Sequence, residues 1–86
     1  HWSGSYKEIN RKYFGLVADH TKKKDEVIFF EGNSITLLEV QTRLHQTYPE
    51  LTTTTYSFAV NQMLIQGEAS VNNLDEIALL PPFAGG

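Results

Sequence analysis

Residues 35–51, Ile35-Thr36-Leu37-Leu38-Glu39-Val40-Gln41-Thr42-Arg43-Leu44-His45-Gln46-Thr47-Tyr48-Pro49-Glu50-Leu51, decide the fold, because they specify one helix with both ends marked. Thr36 followed three positions later by Glu39 is a capping box: the Thr hydroxyl accepts from the Glu39 amide, and the Glu carboxylate returns to the Thr36 amide. Ile35 before the cap and Val40 one turn in form the matching hydrophobic staple. Leu37, Val40, Leu44, Tyr48 and Leu51 recur at helical spacing and define one buried face. Pro49 disfavours a helical Tyr48, so the helix is predicted to end near Thr47.

The flanking segments read as strands. On the N-terminal side, Tyr6 to Phe14 mixes aromatic and β-branched residues with charges, a strand with one face or end wet. Gly15 breaks it, Leu16 to His20 can form a short helical turn, and Lys22-Lys23-Lys24 reads as a solvated loop. Glu26 to Glu31 is a second strand, closed by a turn at Gly32-Asn33. The two strands are too close in sequence for a parallel crossover, so they are expected to pair antiparallel. On the C-terminal side, Thr52 to Thr55 suit a loop or the start of an edge strand. Phe58 to Ile65 is read as one strand ended by Gln66-Gly67, with Phe58, Val60 and Gln62 on one face and Ala59, Asn61, Met63 and Ile65 on the other. Glu76 to Leu80 is the last strand, stopped by Pro81-Pro82, which cannot donate to a central ladder. The predicted class is α+β, in ββαββ order with a C-terminal tail.

The chain has 86 residues, 41% of them hydrophobic and 20% charged. That is enough for one compact domain and too little for two. Residues 1–5 are read as a cloning remnant, 6–82 as the domain and 83–86 as the tail. With no cysteine, disulfides, thiolate nucleophiles and sulfur-ligated zinc are excluded. No apolar run approaches a membrane span and no signal-peptide pattern occurs, so a cytoplasmic location without membrane contact is expected. Six of the seven Lys and Arg residues lie in 1–24, whereas residues 25–86 hold eight acids against Arg43 alone. An acidic C-terminal part is a poor nucleic-acid surface and suits a basic protein partner, in contacts weakened by salt.

Ordinary active-site patterns are missing. His1, His20 and His45 are too scattered for metal ligation, Ser57 and Ser70 lack a nucleophile elbow, and no glycine-rich phosphate loop joins a strand to a helix. Asp75-Glu76 reads as a turn feature. The chain is therefore not expected to be an enzyme by itself or to bind a metal.

The unusual feature is the ending, Leu79-Leu80-Pro81-Pro82-Phe83-Ala84-Gly85-Gly86. Two residues without Cβ can thread a channel too narrow for side chains and place a terminal carboxylate in a partner's active site. Pro81-Pro82 stiffens the exit from the last strand, and from Pro82 to Gly86 an extended chain reaches on the order of 15 Å.

Ala59-Val60-Asn61-Gln62, the acidic turn with Asp75-Glu76-Ile77-Ala78 and the ending Pro81-Pro82-Phe83-Ala84-Gly85-Gly86 together resemble the small subunit of molybdopterin synthase, the MoaD-type sulfur carriers. The resemblance spans about Ile9 to Gly86 and implies the ubiquitin-like β-grasp fold, with a mixed sheet. It also implies a chemistry. The Gly86 carboxylate would be adenylated by a separate activating enzyme using ATP, converted to a thiocarboxylate by a sulfur donor protein, and taken into the large synthase subunit, which transfers the sulfur to precursor Z. Gly86 would be the covalent site and Gly85 would permit close approach. Phe14, Leu79, Leu80, Pro81, Pro82, Phe83 and Ala84 would form the neck at the partner, with burial in the core as the other reading of Leu79. No cofactor of the chain's own is implied, and the catalytic residues would lie on the large subunit of a heterotetramer.

Two departures from that family are visible. Asp-Gly is common before the Asp-Glu pair, where this chain has Asn73-Leu74, and Asn73 is predicted to take the left-handed position there. Gly15 to Asp25 also matches poorly, with His20 where Leu is common. Three rivals remain: the thiamine-pathway sulfur carrier, which usually lacks the double proline, a ubiquitin-like modifier joined through its glycine end to lysines, and a plain interaction domain with an accidental tail.

Overall fold

The computed structural model describes residues 6–32 and 34–82. The remnant assigned to residues 1–5 and the tail residues Phe83, Ala84, Gly85 and Gly86 lie outside them. β1 (Tyr6–Tyr13) and β2 (Asp25–Glu31) form the expected antiparallel pair, joined by α1 (Gly15–Thr21) and the lysine loop. Short β3 (Ile35–Thr36) leads into α2 (Leu37–Thr47), and a 3-10 turn (Pro49–Thr53) follows. Then come β4 (Ser57–Val60), β5 (Met63–Ile65), β6 (Ser70–Val71) and β7 (Glu76–Leu80). The main sheet runs β2-β1-β7-β4-β5; β1 and β7 are parallel and the other neighbours antiparallel, while β3 and β6 pair separately. This mixed sheet with α2 packed on one face is the ubiquitin-like β-grasp arrangement.

The capping box forms as the spacing requires. The Glu39 amide donates to Thr36 Oγ1 and the Thr36 amide to Glu39 Oε1, each at 3.2 Å. Two further orphan donors of the first turn are met by the β6 region: Leu37 N–H donates to the Ala69 carbonyl at 2.9 Å, and Leu38 N–H to Glu68 Oε1 at 3.2 Å. Four amides are thus satisfied, and two carboxylates sit at the positive end of the helix dipole. Leu37, Val40 and Leu44 enter the core with Ile9, Val17, Phe30, Ile35, Leu51, Val71, Ile77 and Leu79. Each such burial contributes roughly 1.5–3 kcal/mol.

Four expectations need correction. Phe58 to Ile65 is a hairpin, not one strand: Asn61 and Gln62 have φ of 49° and 70°, the paired positive values of a type I′ turn, with Val60 opposite Met63. Asn61 is held there by β7, accepting from Glu76 N–H at 2.9 Å and donating to Asp75 Oδ1 at 3.0 Å. The left-handed residue before Asp75 is Leu74, at φ 70°, and not Asn73. The Asn73 side chain is engaged elsewhere, its Oδ1 accepting from Glu8 N–H at 2.7 Å while Leu74 N–H donates to the Glu8 carbonyl at 2.7 Å. Thr52 and Thr53 belong to the 3-10 turn, their hydroxyls donating to the Pro49 and Glu50 carbonyls at 2.8 and 3.1 Å. Tyr48 is the α2 C-cap and is only half-buried, packing against the core between Leu44 and Leu51 without being enclosed by it.

Arg11 is the least expected core residue. It shares the inward parity of Ile9 and Tyr13 and is fully buried. Its Nε donates to Tyr13 Oη at 3.0 Å, Tyr13 Oη donates to Glu26 Oε2 at 2.6 Å, and Nη2 lies 3.6 Å from that same oxygen. Tyr48 Oη donates to Glu26 Oε2 at 2.7 Å and Lys23 Nζ to Oε1 at 2.9 Å. Burial alone would raise the Glu26 carboxyl, but the hydrogen bonds from Tyr13, Tyr48 and Lys23 outweigh it and hold the group at about 2. Burial, then the Glu26 carboxylate, pushes the Tyr13 phenol well above its ordinary value.

Candidate functional site

The site is the place where the chain leaves the domain. β7 is an inner strand, paired on one side with β1 and on the other with β4, so its end is fixed from both directions. Tyr13 stands beside Leu79, and Phe14 N–H donates to the Leu79 carbonyl at 3.1 Å as the last rung. Pro81 and Pro82 follow, both exposed. Proline supplies no amide, so the ladder stops there.

Gly15 sets the other wall of this neck. It opens α1 at φ +59°, and a Cβ built on it would stand 2.6 Å from Pro81 Cγ. That conformation favours glycine and that approach requires it. Beside it opens a cleft of about 450 Å³ lined by Lys12, Tyr13, Phe14, Gly15, Ala18, Lys24 and Asp25. Phe14 is 44% exposed at its rim.

The predicted neck residues therefore divide. Phe14, Leu80, Pro81 and Pro82 are brought together at one end of the sheet, with Leu80 half-buried on the face away from α2. Leu79 is fully buried in the core and serves the neck through its carbonyl. Phe83, Ala84, Gly85 and Gly86 lie outside the described residues. Gly15 was read only as a strand breaker; its signal was its position between an aromatic strand end and a helical turn. Asn61, noticed only as part of a motif, is the clamp that ties the β4–β5 hairpin to the start of β7.

The charges are placed differently from expectation. The acidic C-terminal part is expected to suit a basic partner, yet two of its acids, Glu31 and Asp75, lie with Glu8 at the end of the sheet opposite the neck, where β1 and β7 begin. Lys12 and Lys24 are the charged neighbours of the neck with Asp25, and Lys12 Nζ pairs with Glu76 at 3.4 Å. Among the described residues no group of three His, Asp or Glu side chains could hold a metal, and no helix is long and apolar enough to cross a membrane.

The model of the ThiS family matches residues 12–86, from the last rungs of β1 through the final glycine. The chain belongs to the ThiS family. Its fold is also that of two solved proteins. The solution structure of small archaeal modifier protein 1 (SAMP1) from Methanosarcina acetivorans superposes with a TM-score of 0.72 at 20% identity, covering 96% of this chain and all of that one. The crystal structure of SAMP1 from Haloferax volcanii gives 0.76 at 18% identity, covering 92% and 99%. At such identities the likeness is one of fold. This ThiS-family chain thus has the ubiquitin-like fold, and its described elements end at an exposed proline pair.

Proposed function

We propose that the chain is the sulfur-carrying small subunit of a molybdopterin synthase. The Gly86 carboxylate attacks ATP on a separate activating enzyme, forming the acyl adenylate and releasing pyrophosphate. Sulfide delivered by a sulfur donor protein attacks the acyl carbon, AMP leaves, and the carboxyl group is left as a thiocarboxylate. The thiocarboxylate then enters the large subunit, whose residues catalyse transfer of the sulfur to precursor Z. The observation that carries this reading is the exposed Pro81-Pro82 exit from an inner strand, in a chain whose family match runs through Gly86. The double proline is what favours this pathway over the thiamine one. A carboxylate is a poor electrophile, and adenylation gives it a leaving group, so the carrier needs no cysteine. Lys12 and Lys24 stand at the neck with Phe14 and Leu80, so docking there joins apolar contact to attraction for acidic groups of the partner, the second weakened by salt.

A second reading is favoured by the two structural neighbours, which are modifier proteins by name. In it the same adenylate is captured by a lysine ε-amine of another protein. The two readings share activation and part at the acceptor. Incubation with the activating enzyme, ATP and sulfur donor, followed by the large subunit and precursor Z, tests the first through molybdopterin formation. Denaturation-resistant conjugates in cell extract, absent when Gly85-Gly86 is deleted, would support the second instead.

A further inference from the structure

β2 is the edge of the main sheet, and its backbone orientation can be worked out from its neighbour. Glu8 N–H goes to Asn73 Oδ1, the Glu8 carbonyl accepts from Leu74 N–H, and Asn10 N–H goes to the Asp75 carbonyl. The backbones of Glu8 and Asn10 therefore face away from β2. Their antiparallel partners, Phe29 and Val27, are wide pairs whose own N–H and C=O point outward from the sheet edge. The Phe29 carbonyl confirms this by accepting from Arg43 Nη1 at 3.2 Å. By the two-residue period Asp25 and Glu31 point the same way. The edge thus offers a ladder reading Asp25, Val27, Phe29 and Glu31, whose side chains stand on the sheet face away from α2 with Val27 51% and Phe29 57% exposed.

Edge strands are normally blunted by a bulge, a proline or an inserted lysine. β2 pairs with β1 without interruption from Asp25 to Glu31 and contains none of these. Its guard is Arg43, stacked 4.3 Å from the centre of the Phe30 ring and holding one edge carbonyl. The charge along the edge is uneven. Asp25 is balanced by Lys12 opposite it and Lys24 beside it, whereas Glu31 lies diagonal to Glu8. A second copy of the chain pairing two-fold about Ile28 would set Asp25 against Glu31 twice, a like-charge penalty.

We propose that the β2 edge docks an extended segment of a partner protein, antiparallel, with a Lys or Arg opposite Glu31 and apolar residues opposite Phe29 and Val27. Such a segment reads basic-x-apolar-x-apolar, and its backbone displaces Arg43 from the Phe29 carbonyl. This surface is separate from the tail, so binding does not require Gly86 to be activated. Strand addition draws affinity from main-chain hydrogen bonds and selectivity from alternate side chains.

The test is an amide-shift titration of the full chain with the blocked peptide Lys-Thr-Val-Thr-Ile. The expected shifts centre on the Val27, Phe29 and Glu31 amides. Val27→Pro removes an outward N–H that β1 does not use, so it should leave the rest of the spectrum in place and abolish binding. Arg43→Ala should strengthen binding several-fold. Glu31→Lys should weaken it several-fold, and the peptide Glu-Thr-Val-Thr-Ile should recover it. Shifts mapping to another surface, failure of the charge-swapped peptide, or no shifts with either the parent or Arg43→Ala would overturn the proposal. So would concentration-dependent β2 shifts without peptide that Val27→Pro removes, since these would mean that the edge pairs with itself.

Discussion

Leu74 and Glu26 hold opposite kinds of local energy. Leu74 is 69% exposed, so its side chain gains little from burial while its backbone sits at φ 70°. Left-handed backbone costs a Cβ-bearing residue roughly 1–2 kcal/mol, and glycine returns about half of this through its freer unfolded state. Leu74→Gly should therefore stabilise the domain by about 0.5–1 kcal/mol in urea denaturation. Glu26 is depressed from 4.5 to about 2, so it stabilises the fold above its unfolded value, and that contribution disappears as pH falls through about 2. The whole shift corresponds to about 3 kcal/mol; screening at the rim leaves on the order of 1–2 kcal/mol. Stability of Glu26→Gln measured from pH about 6 downward should accordingly fall less steeply than that of the parent. Parallel curves would show that the Arg11–Tyr13–Tyr48–Lys23 surroundings do not hold a charge on Glu26.

The β4–β5 hairpin depends on one side chain. Asn61 tolerates φ 49° and bridges to both Asp75 and Glu76. Asn61→Ala should cost about 2 kcal/mol, and Asn61→Gly about half of that, because glycine restores the backbone but not the bridge. Elements with local codes were legible in the sequence: α2 through its capping box and Pro49, β7 through its apolar run and the prolines, and the β1–β2 pair through its short connection. What escaped was set by distant partners. The turn at Asn61-Gln62 has no glycine and interrupts an apolar run, so only β7 reveals it. β3 and β6 are two residues each, and their pairing is fixed by the α2 N-terminus that they satisfy. Arg11 shows inward parity in the sequence, but its burial depends on Tyr13 and Glu26 converging on it. Of the neck, the prolines and Phe14 were legible; the approach of Gly15 to Pro81 joins positions 66 residues apart.

At the scale of the whole molecule, one end of the sheet holds the exit for the tail and the other holds the acidic turn. Gly15→Ala tests whether the neck matters to the carrier's work. It adds a strained backbone and a clash with Pro81, and should cost about 2 kcal/mol and slow adenylation of Gly86. Gly67→Ala, at φ +92° with nothing within 4 Å, should strain a remote turn and leave adenylation at the parent rate. Equal effects of the two would remove the neck's special role. The central claim, that this small domain exists to present one carboxyl carbon, is tested most directly by intact mass after incubation with the activating enzyme, ATP and a sulfur donor. Exchange of one oxygen for sulfur, located at Gly86 and lost on deleting Gly85-Gly86, is the predicted result. No adenylate and no mass change would contradict it.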